Sequence, residues 1–67
     1  MDKYSVFIQY EPCDNIFVAS IPELKGCKAH GDTREDAIRE IKIAMELWLE
    51  DMKENGELIP EPMLYVS

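Results

Sequence analysis

Cys27 and His30 are the side chains whose types come closest to nucleophilic chemistry. A thiol nucleophile needs a base within hydrogen-bond reach, and His30 is the sole histidine. Three residues apart on an extended segment, the two point to opposite faces, so the spacing does not build a Cys–His site. A structural zinc ion wants four ligands. Cys27 and His30 supply two, and Cys13 lies across a turn. Cys27 therefore reads as a small buried hydrophobe and His30 as a strand-end surface residue. The fourteen acids fall in turns or on the outward face of a helix. Asp32, Glu35 and Asp36 cluster where that helix begins and suit its N-terminus. Glu46, Glu50, Asp51 and Glu54 form a solvated face. Catalytic carboxylates need a pocket that perturbs their pKa, which a thin domain does not provide, and no Gly-rich phosphate loop is present. The expectation is a protein that is not an enzyme, with no catalytic residue, metal or cofactor.

The rest of the composition points the same way. A chain of 67 residues forms one domain and buries only about 60% of its unfolded surface, so a partner would add to a modest core. Hydrophobic residues at 46% exclude wholesale disorder. Seven basic against fourteen acidic residues give a net charge of −7, without the basic cluster that phosphate-backbone binding draws on. An acidic surface suits a basic protein partner; equally, it keeps a small protein soluble. Two cysteines without a CxxC pair do not make a disulfide scaffold. No run of signal-peptide length opens the chain, and nothing approaches ~18 consecutive apolar residues. The expected setting is the reduced cytoplasm, away from membranes.

The elements follow from periodicity. "YSVFIQY", Tyr4 to Tyr10, alternates and is rich in β-branched and aromatic residues, so it reads as a strand. "EPCDN" is a turn, and "IFVASI", Ile16 to Ile21, is the returning strand of a hairpin. Pro22 ends it, Gly26 permits a reversal, and "CKAH", Cys27 to His30, is a short third strand. Thr33 with Asp36 resembles a capping box; Asp32 with Glu35 is the competing register. The helix is expected to reach about Asn55, with Gly56 as its left-handed stop. At about 100° per residue, Ala37, Ile38, Ile41, Ala44, Met45, Trp48, Leu49 and Met52 form the core face. Trp48 packs on the sheet or, alternatively, anchors a partner. Pro60 and Pro62 favour extended chain, and "MLYVS", Met63 to Ser67, reads as a last strand.

One helix covers one face of a four-stranded sheet. If Val6, Ile8, Phe17, Ala19 and Ile21 face it, then Phe7, Ile16 and Val18 face away, and an uncovered antiparallel face is ordinarily polar. Three large apolar residues there form a candidate sticky patch. A shift of one residue in the turn would swap the faces. Ile43 and Leu47 also fall outside the core arc, one turn apart among Asp36, Glu40, Glu50 and Glu54.

In order, "YSVFIQYE", "FVASIPELKGCKAHGDTREDAI" and "AMELWLEDMKENGELIPEP" resemble the HicB-like antitoxin family. The matching positions are Pro22, Leu24, Gly26 and Cys27; then Gly31, Asp32, Thr33, Asp36 and Ala37; then Gly56, Ile59, Pro60 and Pro62. Asp36 stands where the family usually has Glu. The resemblance implies an α+β, two-layer β-β-β-α-β fold: a four-stranded mixed sheet with one helix on one face, partially ribonuclease-H-like, its last strand beside the first and parallel to it. It also implies an antitoxin that binds and neutralises a small basic HicA-type mRNA-cleaving ribonuclease, and often a homo-oligomer (dimer or tetramer); the ribonuclease-H likeness does not imply nuclease activity. Many members add a C-terminal DNA-binding domain. Residues 1–67 read as a single HicB-like domain without one, so no direct nucleic-acid binding is expected. The expected contact residues are Phe7, Ile16 and Val18 on the open sheet face, Ile43 and Leu47 on the outer helix face, and Met63, Leu64, Tyr65 and Val66 as an edge strand offering unpaired backbone groups. The rival reading is a stand-alone oligomeric regulatory or structural protein with no cognate toxin.

Overall fold

A computed structural model describes residues 3–66. Three strands, β1 (Phe7–Glu11), β2 (Ile16–Ser20) and β3 (Lys28–Gly31), precede one long helix, α1 (Arg34–Glu54). The strands form an antiparallel meander in the order β1-β2-β3.

The hairpin closes through Pro12–Asn15, where Asn15 takes a positive φ of 55°, a conformation Asn tolerates better than most residues. Glu11 accepts the Cys13 N–H at 3.0 Å, and the Tyr10 hydroxyl reaches Asn15 Oδ1 at 2.7 Å. β1 begins three residues later than its alternation predicts. Its partner β2 stops at Ser20, opposite Phe7, because Pro22 turns the chain away. Tyr4 to Val6 thus have no strand beside them, and Val6, expected on the helix side, is exposed.

The Ile21–Cys27 connection is a folded part of the core. Leu24 N–H donates to the Ile21 carbonyl, Cys27 N–H to Leu24, and Ile21 N–H to Cys27, tying the loop shut. Ile21, Leu24 and Cys27 are consequently buried with Ala19 under Ala37, Ile41 and Met45 of α1. Gly26 closes the loop at φ 95°, and a Cβ there would meet the Trp48 ring at 3.2 Å.

Thr33 caps α1: its Oγ1 accepts the Asp36 N–H at 3.1 Å, which selects the Thr33 register over Asp32. The Asp36 carboxylate pairs with Arg39. Past Asn55, Gly56 adopts φ 69°; its N–H returns to Lys53 and that of Glu57 to Met52, the paired bonds of a Schellman stop. The core arc narrows at its edges. Ile38 and Trp48 are more than one-third exposed, so Trp48 rims the core where it packs on Gly26.

The fourth strand is not formed: among the described residues the sheet has three strands, and Met63–Val66 pair with none. Ser67, the end of that expected strand, lies outside the described residues. The hydrogen bonds show why no ladder forms. Glu23 Oε2 accepts the Met63 N–H at 2.8 Å and the Ser5 N–H at 3.0 Å. These are backbone donors that a parallel pairing beside β1 would otherwise employ. Pro60 and Pro62 have no N–H to offer, and the Pro60 carbonyl is taken by the Tyr4 hydroxyl.

Candidate interaction surface

β1 and β2 alternate across the sheet, which sorts their side chains into two sets. Ile8, Phe17 and Ala29 pack against the core under α1. Near this side Arg34 lies over the Phe17 ring, 4.7 Å from its centroid, and Tyr10 meets the same ring at 5.3 Å. The other set faces away from the helix. Its cross-strand rows are Phe7 beside Ser20 and Lys28, Gln9 beside Val18 and His30, and Glu11 beside Ile16. Phe7 is 57% exposed, while Ile16 and Val18 are half-buried. The structure therefore brings Phe7, Ile16 and Val18 together on one open face, with a shallow depression beside Val18 lined by Gln9, Glu11 and Pro12.

Ile43 and Leu47 do not join that face. They are 51% and 63% exposed and flank β3, where with Ala29 and Ala44 they line a groove along the strand. Their position beside an edge strand, not opposite the core, corrects the helical-wheel placement. Met63, Leu64, Tyr65 and Val66 lie apart from both: all four are exposed and belong to no strand.

Glu23 holds a structural position that sequence reasoning passed over. One carboxylate receives the Ser5 backbone, the Ser5 hydroxyl and the Met63 backbone, and so ties the C-terminal segment to the chain's beginning. Partial burial works to raise the Glu23 carboxyl, but the hydrogen bonds from Met63 and Ser5 outweigh it and hold the pKa below its ordinary 4.5. A depressed folded pKa contributes stability that is complete above the ordinary value and is lost as pH falls through the depressed one. Glu23→Ala is accordingly expected to speed amide hydrogen exchange at Met63 about tenfold near neutral pH, since such a charge-assisted bond contributes about 1.5 kcal/mol. Wild type exchanges as the variant does only below pH 4.5. The signal in the sequence was an acid directly after Pro22, at the point where the second strand ends.

Cys27 is buried, and burial pushes its thiol pKa up, away from the thiolate that reacts; His30 is exposed on the opposite face. Among the described residues no three metal-ligating side chains converge. No helix there is long and apolar enough to cross a membrane.

One helix on one face of a three-stranded meander, with Phe7, Ile16 and Val18 on the other, defines a small α+β domain. The chain belongs to the family described as HicB-like antitoxins of bacterial toxin–antitoxin systems, whose model matches residues 4–65. Among its relatives, a UPF0150 protein of Synechocystis sp. is 38% identical over 65 residues, covering 97% of this chain and 81% of the relative. A second from Synechocystis is 42% identical over 50 residues, covering 73% and 68%. A UPF0150 protein of Thermoplasma acidophilum is 36% identical over 58 residues, covering 87% and 83%.

Proposed function

We propose that this chain is a non-enzymatic antitoxin that binds a small basic HicA-type mRNA-cleaving ribonuclease and neutralises it by steric and charge masking in the cytoplasm. The observation that carries this reading is the open sheet face, where exposed Phe7 lies on the same side as half-buried Ile16 and Val18, on a chain of net charge −7. An apolar patch supplies the area that desolvates on docking, and the surrounding acids speed and select encounter with a basic partner. Family membership supports the antitoxin role. The segment Met63–Val66 is tied at Met63 by Glu23 and has the composition of a strand. In this reading it supplies the fourth strand of the partially ribonuclease-H-like fold once a partner covers it. The antitoxin acts as a homo-oligomer and binds no nucleic acid directly.

The test is Phe7→Ser combined with Val18→Asp, titrated against the purified product of an adjacent small basic gene. Affinity is expected to fall at least about 100-fold, the scale of losing anchors at an interface centre, with the helical circular dichroism signal retained. Unchanged affinity in a folded double variant would remove the open face from the interface.

A further inference from the structure

The geometry points to a recess at the C-terminal end of α1 as an arginine-binding pocket, in which the guanidinium of a basic protein partner stacks on Trp48 beside Asp51 and Glu57. The identity of that protein rests on the antitoxin reading. The pocket is a second contact, on the helix and separate from the open sheet face.

Trp48, Asp51 and Met52 stand at i, i+3 and i+4 on α1 and so share one face of the helix. The helix stop adds the fourth wall. Gly56 turns the chain at φ 69°, and the Glu57 N–H comes back to the Met52 carbonyl at 2.9 Å. The four residues line a recess of about 180 Å³. The benzo edge of Trp48 rests against Gly26, where a Cβ would come within 3.2 Å of Cη2. The ring is thereby held in place, yet the residue stays more than one-third exposed.

The lining selects an organic cation. Indole is the side chain that best attracts a cation over its face. Asp51 and Glu57 add two carboxylates, and the end of α1 adds the negative pole of its dipole. No basic residue lines the recess. Lys53, the basic residue of the last turn, follows Trp48 by five residues, which at 3.6 per turn puts it on the other side of the helix. Among the described residues the ion pair is that of Arg39 with Asp36, so Asp51 and Glu57 are not already paired. A hard metal ion fits poorly, since calcium takes about 6–8 oxygen ligands and Trp48 and Met52 offer no side-chain oxygen. An arginine fits each part. Its flat guanidinium stacks on an aromatic face and its fork of N–H donors serves carboxylates, while its methylene stem lies along apolar surface such as Met52. The compact ammonium of a lysine has no plane to stack. A basic protein, drawn to a chain of net charge −7, supplies such side chains.

Trp48 is the sole tryptophan, so its fluorescence reports on this recess. The experiment titrates the full chain with the peptide acetyl-Gly-Arg-Gly-amide, and with the same peptide carrying citrulline, whose side chain keeps the shape and lacks the charge. The arginine peptide is expected to give a saturable change that weakens as salt rises, and the citrulline peptide none. Asp51→Asn with Glu57→Gln should weaken binding about tenfold or more, the scale of losing charge-assisted hydrogen bonds. Glu46→Gln with Glu50→Gln removes the same charge from the side of α1 turned away from Trp48 and should leave binding unchanged. All four acids are exposed, so the variants fold, as circular dichroism checks. Fluorescence that does not respond, responds alike to citrulline, or loses as much in the far-side variant overturns the inference. The peptide contains no toxin, so these outcomes leave the antitoxin reading to the Phe7 and Val18 titration, and failure there leaves the pocket standing.

Discussion

Ile41→Ala lowers stability by about 2–5 kcal/mol, the range for truncating a fully buried aliphatic side chain. Ile41 is 0% exposed and sits between Ala37 and Met45 on the face of α1 that meets Ile21, Leu24 and Cys27. Every surface on which the functional reading depends is positioned through that contact. Among the described residues the core has seven buried hydrophobic residues, two of them alanines, so nothing large stands ready to fill the space. A domain of this size has a total of roughly 3–10 kcal/mol, and the truncation removes a large share of it. Thermal unfolding followed by circular dichroism should show a Tm drop of roughly 10–30 °C, or no folded baseline. A drop of a few degrees would mean that the core is not organised around this residue.

Gly31→Val is the second large effect, and its cause is contact distance rather than backbone conformation. A Cβ at Gly31 would lie 2.6 Å from both Ala37 N and Asp36 Cβ. Backbone cannot yield as a side-chain tip does, so β3 and the first turn of α1 must separate. Overpacking of this kind costs about 1–3 kcal/mol or more, and the displaced turn also threatens the Thr33 cap, itself a contribution of about 1 kcal/mol. The expected outcome is a Tm lowered by roughly 5–20 °C, with faster hydrogen exchange at the Asp36 amide. Gly56 is the contrast: nothing lies within 4 Å of a Cβ there, and only its φ of 69° resists substitution. Gly56→Asn should therefore be nearly silent, because Asn tolerates that region, whereas Gly31→Asn should not.

The elements with strong local signals were legible. The alternation around Phe7 and Ile16 placed the hairpin. The Thr33 cap and Gly56 stop bounded the helix to within a residue. The alternation of β1 and β2 also put Phe7 and Val18 away from α1. What failed depended on hydrogen bonds between distant residues. Residues 63–66 have strand composition, but composition does not reveal that Glu23, forty residues earlier, takes the Met63 N–H. Ile43 and Leu47 were correctly set outside the core, yet a helical wheel carries no information about β3 beside them. Ile38 and Trp48 were placed in the core by angle alone; at 37% and 38% exposure they mark where a small sheet runs out beneath a 21-residue helix.

The most direct measurement of the central claim is co-expression of this chain with the product of a neighbouring small basic gene, read by growth and by size-exclusion chromatography with light scattering. The basic protein alone is expected to arrest growth. Co-expression should restore it, with the two proteins co-eluting as a stable complex, and the Phe7→Ser, Val18→Asp variant should do neither. A chain that elutes only with itself and leaves the arrest unrelieved would contradict the antitoxin reading.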